Sequence, residues 1–144
     1  MKITKFADFS RYLFVFAHPD DEVYTCVSIQ SLVKKVKDVH TIYVTSGDYN
    51  GPEFGPLREK EVLASMKLIG VPRENIHFLR IPERGLMNHA SRVIKEARTI
   101  AERFHPEIIV GHDFEVGHNG HDLVSFCTYK IAEEFAAPFY VFPA

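Results

Sequence analysis

Short apolar runs recur at Tyr12–Ala17, His40–Thr45, Ile76–Ile81 and Glu107–Gly111, and each leads into a stretch whose apolar residues are spaced as on a helix. No other feature of the 144 residues constrains the fold as much. Runs of this length read as strands, and joining strands through intervening helices calls for right-handed crossovers and a parallel sheet. A further run, Phe139–Phe142, extends the series. The expected architecture is α/β, with a mostly parallel sheet of about five strands and helices on both faces. Ligands of such folds bind at the carboxyl ends of the strands, near the point where strand order reverses.

The helices can be placed from spacing and from stop signals. The first is expected from the turn at Pro19 onward, with Val23, Cys26, Val27, Gln30, Val33 and Lys34 following the i, i+3, i+4, i+7 rhythm. The second covers Leu57–Ile69, its apolar face made by Val62, Leu63, Met66 and Ile69 and its end marked by Gly70 and Pro72. The third covers Ala90–Phe104 and is halted by His105-Pro106. The fourth covers Asp122–Phe135, with Leu123, Val124, Cys127 and Ile131 on one side. Nothing divides the chain, so residues 1–144 are expected to form one domain. Gly47–Pro56 is the least regular stretch and reads as a loop over the carboxyl edge of the sheet.

A net charge of -2 gives no electrostatic reason to expect nucleic acid or an anionic membrane as partner, which leaves a small molecule or a protein. A homo-oligomer is compatible with this composition. No window has the 18 or more apolar residues of a membrane span, and Met1–Phe6 lacks the apolar core of a secretory signal. The two cysteines, Cys26 and Cys127, both lie in helical patterns and read as buried thiols of a reducing, cytoplasmic compartment.

Chemistry concentrates in two places. The stretch Ala17-His18-Pro19-Asp20-Asp21-Glu22 puts three adjacent carboxylates at the end of the first strand, and no Lys or Arg occurs between Tyr12 and Val33. A helix N-terminus stabilises a carboxylate by about 0.3 to 1 kcal/mol, too little to hold three beside an apolar strand. A divalent cation answers the repulsion more completely. The second cluster, Gly111–Asp122, follows the fourth strand and holds His112, His118 and His121 together with Asp113, Glu115 and Asp122. Imidazole and carboxylate ligands without cysteine suit catalytic zinc, although iron, manganese and nickel accept similar sets. The ligands read from the two clusters are His18, Asp21 and His121. Zinc lowers the pKa of a coordinated water from about 15.7 to about 7. Asp20 then reads as the general base and His118 as the donor to a leaving group or developing oxyanion. Glu22 reads as a first-turn acid, and His40, His77, His89 and His105 as surface or edge residues. Ile81–Leu86 reads as a turn, with Glu83 and Arg84 as secondary candidates for substrate contact.

These residues resemble the PIG-L/LmbE-like de-N-acetylase family, whose hallmarks are an AHPDD motif after the first strand and a later HxDH motif. The first is matched by Ala17–Asp21; the second appears as His118-Asn119-Gly120-His121, with Gly120 where the family has Asp. Thr45-Ser46-Gly47 and the R-x-x-E of Arg58 and Glu61 extend the likeness. The resemblance implies a Rossmann-like three-layer sandwich, a zinc site at His18, Asp21 and His121, Asp20 as base and His118 as the assisting histidine. It also implies that Arg58 reaches substrate hydroxyl or phosphate groups, and that the chain is short at its C-terminus relative to the family. The implied activity is zinc-dependent removal of an N-acetyl group from an N-acetylglucosamine-type amino sugar or glycoconjugate. Two other readings accompany it: a metal-containing binding or regulatory protein with impaired turnover, and a hydrolase of another small amide.

Overall fold

A computed structural model describes residues 5–143. Of the N-terminal stretch read for a secretion signal, Met1–Thr4 lie outside the described residues, as does Ala144. Strands β1 (Arg11–Phe16), β2 (Asp38–Thr45), β3 (Ile76–Ile81), β4 (Ile108–His112) and β5 (Phe139–Phe142) alternate with helices α1 (Cys26–Lys34), α2 (Phe54–Ile69), α3 (Ala90–Phe104) and α4 (Asn119–Glu134). The strands form one sheet in the order β3-β2-β1-β4-β5, and every pairing is parallel. The chain runs outward from β1 to β3, then crosses back to lay β4 and β5 on the other side of β1. Strand order therefore reverses between β1 and β4, which is where the fold rule places a ligand.

The central strand shows why its run is apolar without alternation. Leu13, Val15 and Ala17 pack with Val93, Ala97, Ala101, Val124, Cys127 and Ile131, which places α3 and α4 on one face. Tyr12, Phe14 and Phe16 pack with Ile29, Leu32, Val62 and Met66, which places α1 and α2 on the other. A strand covered on both sides needs apolar residues at every position.

Three helix starts differ from expectation, each for a local reason. The first helix is broken: a 3-10 turn, Asp21–Tyr24, precedes α1, and the broken register leaves Val23 and Val27 exposed while Ile29 and Leu32 carry the packing. Cys26 at that break is only partly buried; Cys127 is fully buried, and burial pushes its thiol up to about 11. Helix α2 starts three residues before Leu57, because Pro56 fits a first turn that has no use for its N–H. Helix α4 starts at Asn119, because the His118 side chain caps it, and this puts His121 on a helix rather than in a loop.

At the amino-terminal edge of the sheet, His40 and His77, read as surface or edge residues, form a pair that the sequence does not show. His40 Nδ1 lies 3.0 Å from His77 Nε2, and the His40 ring stacks on Phe104 at 3.8 Å between centroids. One ring donates and the other accepts, so the bond requires at least one neutral imidazole. Burial lowers both pKa values, that of His77 to about 4 with help from His40 and Arg73, while Asp38 and Glu74 pull His40 the other way. Groups held neutral in the fold but free to protonate when unfolded stabilise the protein above about pH 6.5, and this stability is lost as pH falls toward 4. Allowing for partial exposure, the loss is roughly 1 to 2 kcal/mol. Thermal melts at pH 7 and pH 5 should show a drop in midpoint that shrinks in His77→Phe; an equal drop in both proteins contradicts this account.

Candidate active site

The strand β1 ends in a strained turn. Asp20 has φ 145 and ψ -15, a backbone conformation that costs a non-glycine residue on the order of 1 to 3 kcal/mol. The turn is held nonetheless. The His18 N–H donates to Asp21 Oδ2 at 2.7 Å, and Glu22, far from being a simple first-turn acid, is buried and accepts the Ser65 hydroxyl of α2. Burial and the neighbouring Glu22 carboxylate raise the pKa of Tyr43 well beyond the usual phenol range. Glu22 thereby ties the turn to the helix layer beneath it.

Asp21 is the point where the two clusters meet. Its carboxylate lies 3.4 Å from His18 Nδ1, 3.1 Å from His112 Nε2 and 3.5 Å from His121 Nε2. Burial opposes its charge, yet His112 and His18 hold its pKa well below the ordinary range. His112, named in the sequence without a role, is fully buried at the end of β4, and its ring stacks on His121 at 4.1 Å. Its Nε2 also lies 3.0 Å from the Ala17 N–H, and one ring nitrogen serves the amide or the carboxylate, not both. His18, His118 and His121 bring their ring nitrogens within 4.8 Å of one another, and so do the ligand atoms of Asp21, His112 and His121. His121 belongs to both groups. His18 and Asp21 fall in different groups, so the trio read from the sequence is not gathered as one; imidazole and carboxylate donors of this kind nonetheless fit a divalent transition metal. Glu115 Oε2 sits 3.3 Å from His121 Nδ1, the arrangement in which a carboxylate orients a metal-binding histidine. Burial and His112 lower the pKa of His121, while burial of His18 is outweighed by Asp21 and Glu83, which raise it.

Asp20 lines the cavity above this cluster, and its partial burial together with the adjacent Asp21 raises its pKa against the pull of Arg58 and His18. The cavity, about 520 Å³, is also lined by Tyr49, Asn50, Arg58 and Glu83. Arg58 contacts Glu61 at 3.3 Å while facing this space. The loop after β2 forms the opposite wall and is tied down rather than loose: Asp48 accepts the Glu83 N–H at 2.9 Å, and Arg84 donates to the Tyr49 carbonyl with its guanidinium 4.8 Å from the Tyr49 ring. Glu83 reaches to 3.7 Å from His18 Nε2.

A profile of the family described as PIG-L: GlcNAc-PI de-N-acetylase matches residues 13–132. The chain belongs to the PIG-L family. Its relative from Schizosaccharomyces pombe, described as "Probable N-acetylglucosaminyl-phosphatidylinositol de-N-acetylase", is 30% identical over 115 residues, which are 76% of this chain and 45% of that protein. Among solved structures, N,N'-diacetylchitobiose deacetylase from Pyrococcus horikoshii matches with TM-score 0.78 at 23% identity, over 89% of this chain and 51% of that one. The zinc-inhibited form of teicoplanin deacetylase matches with TM-score 0.81 at 14% identity, over 92% and 66% of the two chains. At these identities the solved structures establish a shared fold. This chain spans about half the length of the first two proteins.

The departure from the PIG-L pattern at Gly120 has a geometric counterpart. A Cβ at this position would stand 3.2 Å from both Cε1 and Nε2 of His18, so an added methyl would require the imidazole to give by a few tenths of an ångström. The expected consequence of Gly120→Ala is a split result. Helix propensity favours alanine by up to about 1 kcal/mol, while displacement of His18 weakens cation binding by about tenfold, in the range seen when a ligand is misoriented. Chelator competition and thermal melts on the same samples check both halves.

The residue that the family motif supplies at position 120 is also not needed to set the tautomer of His118. As the N-cap of α4, His118 Nδ1 accepts the His121 N–H at 3.3 Å. A nitrogen that accepts carries no proton, so neutral His118 holds its proton on Nε2. The backbone therefore fixes this ring as a donor. Asp122 is committed elsewhere, gathering the N–H groups of Glu115, Val116 and Gly117 at 2.8, 3.3 and 3.4 Å, and Asp113 accepts the Phe114 N–H at 2.8 Å.

Proposed function

We propose that the protein is a divalent-metal-dependent hydrolase that removes an N-acetyl group from an N-acetylglucosamine-type amino sugar or glycoconjugate. The observation that carries this reading is the convergence on Asp21 of histidines from the β1 turn and the β4 loop, beneath a cavity walled by Asp20 and Arg58. His18, Asp21 and His121 would hold the cation, with zinc the natural choice for such donors. When bound there, zinc supplies Lewis acidity that eases deprotonation of a water and polarises a carbonyl.

The chain's own groups account for the remaining work. Asp20, with its raised pKa, takes the water proton and passes it on. His118 presents Nε2–H to the developing oxyanion and to the departing amine. Arg58 and Asn50 meet substrate hydroxyl or phosphate groups across the cavity. Glu115 fixes the orientation of His121, and His112 that of Asp21. The deacetylase named among the structural matches acts on diacetylchitobiose, which supports an amino-sugar substrate. Among the described residues no helix is long and apolar enough to cross a membrane, and the two free cysteines accord with a reducing cytoplasm.

The test is acetate release by zinc-loaded protein from N-acetylglucosamine, N,N'-diacetylchitobiose and N-acetylglucosaminyl phosphatidylinositol. Turnover of at least one is expected. Folded, zinc-loaded protein that releases no acetate from any of them overturns the reading in favour of a metal-containing binding protein, and turnover only of non-sugar acetamides reassigns the substrate.

A further inference from the structure

The cavity above Asp21 does not stand alone. A second chamber of about 340 Å³ adjoins it, and both are lined by His18, Tyr49, Glu83 and His118. Of the residues given chemical roles, His18 and His118 line both spaces, while Asp20, Asp21 and His121 line only the first. The first adds Asp20, Asn50, Arg58 and Glu115, groups suited to hydroxyls. The second adds Leu86, Met87, Asn119 and the side-chain-free positions Gly85, Gly117 and Gly120. Leu86 is buried and Met87 is 57% exposed, so the added side chains are mainly an apolar floor and a flexible thioether flank.

An amide has two ends, and its scissile bond must sit at the junction of whatever spaces receive them. If the polyhydroxylated amine lies in the first chamber, the acyl group points into the second. An acetyl methyl is about the size of a water molecule, about 30 Å³, and leaves most of a 340 Å³ chamber unfilled. We infer that this second chamber is an acyl-chain site, so that the enzyme hydrolyses N-acyl amino sugars whose acyl groups extend several carbons beyond acetyl. The inference rests on the hydrolase reading above. The reaction is unchanged in kind: water oxygen bonds to the acyl carbon, the C–N bond breaks, and the proton taken by Asp20 ends on the amine, releasing a longer carboxylic acid.

Burying a methylene favours binding by about fourfold, which offsets the loss of freedom of a longer chain. Zinc-loaded protein should therefore cleave N-hexanoylglucosamine with kcat/KM at least equal to that for N-acetylglucosamine. Gly117 offers a way to close the chamber without strain, because a Cβ built there meets nothing within 4 Å. In Gly117→Leu the hexanoyl-to-acetyl ratio of kcat/KM should fall at least tenfold, and Met87→Trp should lower it in the same direction should the first variant fold poorly. Wild-type protein that cleaves the acetyl compound but is more than a hundredfold slower on the hexanoyl one overturns the inference and leaves the hydrolase reading standing. So does a ratio unmoved in both variants. Cleavage of neither compound overturns the hydrolase reading, and this inference falls with it.

Discussion

Asp20→Asn is expected to lower kcat for amide hydrolysis by about 10² to 10⁴-fold, the usual contribution of a positioned general base, with little change in bound metal. The substitution keeps the size of the side chain and removes only its ability to take a proton. Asparagine also tolerates unusual backbone regions better than most residues, so the turn at φ 145 should survive. Steady-state kinetics with metal analysis of the same preparation separate the two effects. A variant that retains its metal and also its rate would remove Asp20 from the mechanism; one that loses its metal would instead make it a ligand.

Removing the cation is the second large effect. Chelation followed by dialysis should bring hydrolysis to background, and zinc should restore it. His121→Ala should behave like the chelated protein and resist rescue, because His121 is common to both groups of converging donors. Glu115 grades this effect. It reaches His121 Nδ1 at 3.3 Å, so Glu115→Gln should weaken the cation by about 10 to 100-fold rather than abolish binding. Competition with a chromophoric chelator measures all three proteins on one scale. Equal affinity in wild type and His121→Ala would show that the cation sits elsewhere.

Much of the candidate site is legible in the sequence, because its parts are strongly local. The β1 run, the acidic turn and the histidine-rich stretch after β4 are contiguous in sequence, and the sheet-edge rule brings their ends together. What was not legible depends on packing between distant elements. Nothing in the spacing of His112 shows that it enters a buried position against Asp21 and His121. Glu22 looked like an ordinary helix-start acid because its partner, Ser65, lies 43 residues away. The apolar spacing of Val23 and Val27 misled for a related reason: a break at Thr25, invisible to periodicity, shifts the packing face to Ile29 and Leu32. Gly120 read as a missing carboxylate, whereas its close approach to His18 and the cap made by His118 are properties of the folded backbone.

The division of the site between β1 and β4 ties ligand binding to chain assembly. His18 and His121 are about a hundred residues apart, and they meet only after β4 has crossed back to pair with β1 through Tyr12, Leu13 and Phe14. That pairing closes the longest loop in the sheet and so is the step with the greatest entropic cost. A cation recognised by both halves has nothing equivalent to bind in the unfolded chain. Its whole binding free energy would therefore act as a clamp across that seam, adding about 4 kcal/mol at a thousandfold excess over its dissociation constant. Metal supply would then govern how long the folded chain persists as well as what it catalyses.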